Sequence, residues 1–334
     1  FPEDPAQILE RTCFQTSKPW SPQGNLRSDV ALVYGIDRSL PERVASWRNR
    51  GYRVHLMTGV DPARGDAPLV SVVIPVYNPG RDIEPCVASV LAQTLPAGHV
   101  EAILRAVAGK RVAAIMCTHT HRDHSPAAAP LKAATGAPII GCAPLVLRDD
   151  GPRSDSAFDP DYAPDRILAD GERISGDGWT LEAVTTPGHT SNHICYGLVE
   201  SGALFTGDHV MKWSTSVVSP PDGDMSDYLA SLQKLYERTD RIYYPAHGPA
   251  VENPRQLVRG MIGHRRQRER QILNLLEAGE GHIPDMVAAM YKGLDPRLTG
   301  AAGRSVLAHL IDLQNQGRVA AQGEGWHLIP QKTP

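Results

Sequence analysis

The pattern of hydrophobic and polar residues changes at about residue 99 of this 334-residue chain. Beyond that point short apolar segments alternate with amphipathic segments of helix length, which is typical of an α/β fold. The apolar segments predict strands at 112–117, 138–142, 180–185, 193–199, 203–206 and 242–244. The amphipathic segments predict helices near 100–108, 126–134 and 224–237. Asp224 is the expected N-cap of the last helix, because its short carboxylate can accept a hydrogen bond from the first turn.

The C-terminal part of the chain is predicted to be mainly helical. Helices are expected at 254–277, 283–291 and 303–316, and apolar stretches near Val319 and at 326–329 suit a small hairpin. Three helices followed by a wing-like hairpin indicate a winged-helix module.

The N-terminal third follows neither pattern. The apolar, β-branched segment 69–77 predicts a strand that is buried on both faces, and 83–91 predicts a helix after it. We therefore divide the chain into an N-terminal α/β extension of unassigned fold (1–97), an α/β domain (98–258) and a winged-helix-like domain (259–334). The longest apolar run is far shorter than the roughly 20 residues of a membrane helix, so we expect no membrane partner.

Composition narrows the range of functions. The formal net charge of −3 is not that of a globally basic nucleic-acid-binding protein. The five cysteines are odd in number and form no Cys-x-x-Cys pair, which favours reduced thiols and a cytoplasmic location. The polar start of the sequence does not have the pattern of a signal peptide. The 13 histidines are more informative, because several of them are clustered.

The densest cluster is the segment Thr118-His-Thr-His-Arg-Asp-His124, between a predicted strand and a predicted helix. Imidazole nitrogens and carboxylate oxygens are ligands that zinc prefers, and one loop can direct several of them to a common point. The segment offers three imidazoles and one carboxylate. One ion cannot easily use all four of these side chains, and two ions need more ligands than the loop supplies. Further candidates follow at predicted strand ends, each close to a glycine that permits a tight turn: His189, Asp208 and His247.

This His-x-His-x-Asp-His segment, followed by isolated His, Asp and His residues, resembles the metallo-β-lactamase fold. The resemblance is to the hydrolases that include hydroxyacylglutathione hydrolase and the β-lactamase-like-protein-2 group, and the latter group carries a C-terminal winged helix. It covers about residues 99–330 and implies an αββα sandwich. It also implies two zinc ions, with iron or manganese as substitutes. The first ion would be held by His119, His121 and His189, the second by Asp123, His124 and His247, and Asp208 would bridge both.

The same resemblance implies a binuclear hydrolase in which a metal-bridging hydroxide attacks an acyl, thioester-like substrate. Asp123 and Asp208 are then catalytic residues as well as ligands, and the excess positive charge of the site favours a small anionic substrate. One alternative is a metal-dependent endoribonuclease or phosphodiesterase of the same fold, with the basic run 264–270 as the contact to RNA. Another is a non-catalytic scaffold that a metal stabilises. The oligomeric state, including a homodimer, stays open.

Four residues near the cluster in sequence have two interpretations each. His193 is expected either to hydrogen-bond to the metal site or to be a plain strand histidine. His209 is expected to face away from the site. Lys212 and Trp213 follow Asp208 closely enough to line a substrate cleft, but an ordinary loop is the favoured interpretation.

Outside the cluster, we favour structural roles. Tyr162 is expected to be a surface aromatic residue and Cys195 a core thiol, and the run 264–270 a solvated helix face.

The N-terminal extension carries a second resemblance. Residues 70–78, with 88–94 behind them, are similar to the first strand and helix of inverting family-2-type glycosyltransferases. The Asp-Asp-Gly-Ser and Asp-x-Asp stretches that such enzymes need are missing, so no glycosyl transfer is expected. The extension is interpreted as a fragment of that fold joined near residue 97, or as a segment whose strand 69–77 completes the hydrolase sheet.

Overall fold

The computed structural model describes residues 86–89, 97–107, 111–146, 158–176, 178–212, 215–248 and 250–330. A first, parallel set of strands begins with β1 (Cys86–Ser89) paired to β2 (Val112–Met116). A bridge between Ile115 and Ile139 continues this set to β3 (Ile140–Gly141), which pairs with β4 (Arg166–Ile167). Two helices accompany these strands, α1 (Ala97–Ala106) and α2 (Ala128–Thr135).

A second sheet has five strands within the described residues. In spatial order they are β5 (Arg173–Gly176), β6 (Trp179–Thr185), β7 (Ile194–Leu198), β8 (Ala203–Gly207) and β9 (Ile242–Pro245). The first four are antiparallel, whereas β8 and β9 are parallel because the helix α3 (Met225–Glu237) provides the crossover between them.

Alternate side chains of the second sheet enter two different cores. Tyr196 and Phe205 pack with residues of the first strand set, whereas Cys195 and Leu204 pack with α3. Every residue of β7 and β8 is buried, since these strands are covered on both faces. The layers are therefore helix, sheet, sheet and helix, as the αββα prediction requires.

The C-terminal module has its own core. It consists of α4 (Pro254–Glu277), α5 (Ile283–Met290), a short 3-10 helix (Pro296–Leu298), α6 (Thr299–Asn315) and an antiparallel hairpin of β10 (Val319–Gln322) and β11 (Gly325–Leu328). Ile272, Val306 and Leu310 lie at the centre of this core. The predicted winged helix is confirmed. Ala308 of α6 joins the core around α3, so the module also packs against the sandwich.

Most predicted elements are present with shifts of a few residues, and the bounds of α4 agree with the prediction. The helix predicted at 83–91 is wrong, because residues 86–89 form a strand on the open edge of β2. That pairing is a long-range interaction that local propensity does not report. The strands β4 and β5 were not predicted. The predicted strand at 69–77 and most of the extension 1–97 lie outside the described residues. No helix in the described part of the chain is long and apolar enough to span a bilayer.

Candidate metal centre

A tight turn after β2 gathers the four residues of the His-rich loop. The backbone N–H groups of His124 and Ser125 both donate to the carbonyl oxygen of His121, at 2.9 and 3.2 Å. The side chains of His119 and His124 are fully buried, while those of His121 and Asp123 are half-buried. The turn thus places four potential metal ligands, two of them fully buried and two half-buried, at one end of the sandwich.

Three imidazole nitrogens converge to form the first ligand group. His119 Nε2 lies 3.0 Å from His121 Nδ1, and His189 Nε2 lies 3.2 Å from the same atom. Tetrahedral zinc with Zn–N bonds of 2.0–2.1 Å places neighbouring ligand atoms about 3.3 Å apart. The spacing of these three nitrogens therefore fits a single ion.

The protonation of these histidines suits ligation. Burial, reinforced by the neighbouring histidines, lowers the pKa of His119 well below its ordinary value and that of His121 to about 3. His189 Nδ1–H donates to the carbonyl oxygen of Val217 at 2.6 Å, which leaves the lone pair on Nε2 facing the group. The imidazoles of His119 and His121 are thus neutral, and all three facing nitrogens can donate a lone pair to a cation.

A second group combines two histidines with two carboxylates. His247 Nε2 lies 3.4 Å from an oxygen of Asp123 and 3.4 Å from Asp208 Oδ1. His124 Nε2 lies 3.5 Å from Asp123 Oδ1 and from Asp208 Oδ2. These distances exceed those of good charge-assisted hydrogen bonds. Among the described residues, both ring nitrogens of His124 and Asp208 Oδ1 are buried without a hydrogen-bond partner. A cation between these atoms would satisfy them.

The carboxylates make this second group strongly attractive to positive charge. Burial opposes ionisation of Asp208, yet His124 and His247 hold its pKa well below the ordinary range. Burial likewise opposes protonation of His124, but the charges of Asp208 and Asp123 raise its pKa to about 8. The pKa of His247 is raised to about 10 in the same way. Protons at these histidines occupy positions that a metal ion would take.

Asp208 lies between the two groups. Its Oδ2 is 3.8 Å from His189 Nε2 of the first group and 3.5 Å from His124 Nε2 of the second. The structure therefore brings together all seven residues that the sequence singled out, and it forms three sets of potential ligands from them.

The backbone before Asp208 is shaped by a glycine and a histidine. Gly207 has a φ of 50°, and a Cβ there would lie 2.6 Å from His193 Nε2, so a side chain at this position would be strained and crowded. The Asp208 N–H donates to His193 Nε2 at 3.2 Å. His193 Nδ1–H in turn donates to Thr186 Oγ1 at 2.8 Å. His193 thus fixes the backbone of Asp208, which confirms the hydrogen-bonding interpretation.

The loop after Asp208 is held from the other side by residues that the sequence analysis missed. Ser216 Oγ donates to the carbonyl oxygens of Asp208 and His209, at 2.5 and 2.8 Å. Arg265 Nη2 donates to the carbonyl oxygen of Ser216 at 2.5 Å. A signal for Arg265 was available, because it follows Val258, Met261 and Ile262 at the spacing of the buried face of α4.

Comparison with known proteins agrees with this architecture. Residues 90–247 match the metallo-beta-lactamase superfamily, and residues 283–326 match the beta-lactamase associated winged helix domain. Residues 90–247 are a metallo-β-lactamase superfamily domain. The solved structure of a metallo-β-lactamase family protein from Thermus thermophilus superposes on 73% of this chain and 89% of that one, with a TM-score of 0.58 and 20% identity. That similarity supports the fold alone.

Curated relatives of this chain include proteins that are named thioesterases. The chain is 35% identical over 167 residues to an atrochrysone carboxyl ACP thioesterase of Aspergillus fumigatus, and the match covers 50% of this chain and 48% of the relative. It is 29% identical over 215 residues to a β-lactamase-like protein 2 homologue of Drosophila melanogaster, covering 61% of this chain and 69% of the relative. The chain thus spans about half the length of the fungal thioesterase.

The remaining candidates near the metal centre have structural roles or lie at its edge. His209 is buried, has both ring nitrogens unpartnered, and packs with its ring centroid 4.6 Å from that of Tyr228. Lys212 is exposed and lines a cavity, whereas Trp213 lies outside the described residues. The prediction for Tyr162 is wrong: it is buried between the sheets, where the apolar core takes up its ring.

Among the described residues, no cysteine belongs to the groups of potential metal ligands. Cys195 is fully buried, and burial raises the pKa of its thiol to about 12. Its core role is therefore confirmed. Cys117 and Cys142 are also buried and form no disulfide within the part of the chain that the structure describes.

The basic run 264–270 is not a uniform solvated face. Arg265 is only 3% exposed, and the guanidinium of Arg268 lies 4.2 Å from the centre of the Tyr291 ring. Arg266 and Arg270 do face solvent. The prediction of a solvated face is wrong for Arg265, because α4 turns this position towards the loop around Ser216.

Proposed function

We propose that this protein is a metal-dependent hydrolase that uses two divalent ions to cleave an acyl thioester. The metallo-β-lactamase superfamily consists mostly of hydrolases, and the thioesterases among the relatives support the choice of bond. The observation that carries the proposal is the position of Asp208 between two groups of potential ligands.

In this proposal His119, His121 and His189 hold one ion and Asp123, His124 and His247 hold the other, with Asp208 shared. Zinc is the first candidate, and iron or manganese are the alternatives. When bound, the ions supply a water of lowered pKa and polarise the thioester carbonyl.

The protein's own residues orient the ligands. Burial keeps His119 and His121 neutral, and the hydrogen bonds to His193 and Ser216 fix the backbone on both sides of the Asp208 side chain. Hydrolysis then needs no protein nucleophile: water adds to the acyl carbon, the carbon–sulfur bond breaks, and an acid and a thiol leave.

The charge of the centre favours a small anionic substrate. Ligation would displace the protons of His124 and His247, so the five imidazoles would be neutral and the two carboxylates would carry −2. Two divalent ions would then leave a net charge of +2 for the protein and metal together. Such a charge at the base of a partly buried site attracts anions. Carrier-bound thioesters are anionic where the carrier provides phosphate groups.

An endoribonuclease or phosphodiesterase of the same fold is the second candidate. Arg266 and Arg270 support it, because they are exposed one helical turn apart on α4 and, among the described residues, have no carboxylate partner. Arg265 and Arg268 of the same basic run do not support a contact to RNA, because Arg265 is buried and Arg268 stacks on Tyr291. A metal-stabilised scaffold is a third hypothesis, and hydrolysis of any substrate would exclude it.

A substrate panel tests the proposal. Metal-loaded and chelator-treated protein are compared on glutathione and coenzyme A thioesters, a phosphodiester, single-stranded RNA and a cephalosporin. We expect thioester hydrolysis that disappears with the metal and returns on its addition. Cleavage of RNA or the phosphodiester, with thioesters untouched, would favour the second candidate instead.

A further inference from the structure

A cavity of about 550 Å³ lies beside the loop that follows Asp208. Its lining includes Met211 and Lys212 of this loop, Val251 after β9, and Leu257 and Met261 of α4. The cavity is thus built from the sandwich and from the helix that leads into the winged-helix module.

Two residues that line the cavity are close in sequence to potential metal ligands. Met211 is three residues beyond Asp208, and Val251 is four residues beyond His247. An extended chain covers at most about 3.6 Å per residue, so these residues lie within about 11 and 14 Å of the two ligands. A substituent about 11–14 Å long, on a molecule bound at the candidate metal centre, has the length that separates these residues.

The lining combines an apolar floor with a polar rim. Met211, Val251 and Met261 are buried and Leu257 is half-buried. The exposed polar part of the lining consists of Lys212, Thr215, Glu252, Asn253 and Gln256. Among the described residues, Nδ1 of the lining residue His264 has no hydrogen-bond partner. Methionine side chains adapt to ligands of irregular shape. The volume lies within the 300–1,000 Å³ typical of small-molecule sites, which an acetyl group would leave mostly empty.

We infer that this cavity binds the acyl group of the substrate and selects thioesters with a bulky, mainly apolar acyl chain or ring over short ones. The inference rests on the proposed thioesterase function. Apolar area removed from water provides the selection, because each additional buried methylene group contributes about 0.8 kcal/mol.

Two glycines of α4 offer a matched pair of variants. Gly260 lines the cavity, and a Cβ built there meets no atom within 4 Å. Gly263 is equally open and equally exposed but does not line the cavity. Gly260→Trp should place an indole at the cavity, whereas Gly263→Trp adds the same side chain and the same gain in helix propensity outside it.

The kinetic test compares acetyl and decanoyl thioesters of N-acetylcysteamine. The wild-type protein should have the higher kcat/KM with the decanoyl compound. Gly260→Trp should lower the decanoyl-to-acetyl ratio of kcat/KM at least about tenfold, as expected when a pocket loses room for several methylenes. Gly263→Trp should keep the wild-type ratio. An unchanged ratio in Gly260→Trp, or an equal loss on both substrates, would show that the acyl group binds elsewhere.

A binding test separates this inference from the proposed function. The S-decyl and S-methyl thioethers of N-acetylcysteamine cannot be hydrolysed, and calorimetry measures their affinities for all three proteins. We expect the decyl compound to bind more tightly than the methyl compound, and only Gly260→Trp to abolish the difference. If no thioester is hydrolysed but only Gly260→Trp abolishes the preference for the decyl compound, the proposed thioesterase function is wrong and the assignment of the cavity as an apolar binding site is kept. If thioesters are hydrolysed but the decyl compound binds Gly260→Trp as it binds wild type, the cavity assignment is wrong.

Discussion

The guanidinium of Arg265 donates a hydrogen bond to the carbonyl oxygen of Ser216 at 2.5 Å. Ser216 Oγ donates to the carbonyl oxygen of Asp208, and a second nitrogen of Arg265 lies 3.4 Å from Ser305 Oγ on α6. A buried side chain thus connects the helices of the winged-helix module to the residue between the two ligand groups. The module supports the metal centre as well as extending the fold.

Replacing Arg265 should weaken the metal centre from a distance. Arg265→Met keeps most of the apolar stem but leaves the Ser216 carbonyl oxygen buried and unpartnered, which costs about 1–3 kcal/mol. We expect a lower melting temperature and weaker metal binding, measured by thermal unfolding and by competition with a chelator.

The adjacent residue provides the control for this substitution. Arg266 is exposed, so Arg266→Met should leave both measurements close to wild type. If Arg265→Met and Arg266→Met behave alike, the connection through Ser216 has no energetic role.

His193 should act on the metal centre through the backbone of Asp208. His193→Ala removes the acceptor of the Asp208 N–H, and groups that orient metal ligands typically contribute about 10–100-fold in metal affinity or activity. We expect a loss of that size in metal affinity by equilibrium dialysis. His193→Gln offers an acceptor oxygen and should recover part of it. A Gln variant as poor as the Ala variant would point to packing rather than the hydrogen bond.

Much of the metal centre could be predicted from the sequence because each ligand lies near the end of a strand. His119, His189 and Asp208 follow apolar segments whose periodicity is clear, and the strand ends of one sandwich meet at one edge. Contacts that depend on the packing of distant segments could not be predicted. Arg265 is an example. The charges of its neighbours in sequence suggested a solvated helix face, although the apolar residues Met261 and Val258, one and two helical turns earlier, lie on the buried face of the same helix.

Tyr162 and β1 illustrate the same limit in the fold. Tyr162 follows a polar, proline-rich stretch, and only the packing of the two sheets shows that its ring is enclosed. Residues 86–89 have no strong local preference, and the free edge of β2 decides their conformation.

His309 should make the stability of the protein fall in mild acid. It is buried on α6, and burial, together with Arg265, His264 and Arg268, lowers its pKa to about 3. The unfolded chain takes up this proton near pH 6.5 and the folded protein does not, so stability decreases as the pH falls from about 6.5 towards 3, by at most about 1.4 kcal/mol per pH unit. His309→Leu should remove this part of the dependence.

The measurement for His309 is chemical denaturation of metal-free wild type and His309→Leu at several pH values. Subtracting the pH dependence of the unfolding free energy of His309→Leu from that of the wild type removes the contribution of the other buried histidines. The difference should change between pH 6.5 and 4 and be constant above pH 7.5. A constant difference over the whole range would mean that His309 has the same pKa in the folded protein as in the unfolded chain.

The exposed arginines of α4 distinguish the two candidate functions. We expect no binding of single-stranded RNA in 150 mM salt by fluorescence anisotropy, since the two exposed arginines of the run 264–270, Arg266 and Arg270, neutralise few phosphates. Salt-dependent RNA binding that is lost in Arg266→Gln/Arg270→Gln, but not in Arg304→Gln at a half-buried arginine of α6, would support the ribonuclease instead.

The most direct test of the account is the metal content of wild type and Asp208→Asn, measured by elemental analysis alongside thioester hydrolysis. Asp208→Asn removes a negative charge between the two groups, so any two ions there would repel each other more strongly. We predict about two ions per chain in the wild type and fewer in the variant, with the rate of hydrolysis reduced at least about 100-fold and only partly restored by excess zinc. One ion per chain in a fully active wild type, or two ions and a normal rate in Asp208→Asn, would contradict the account.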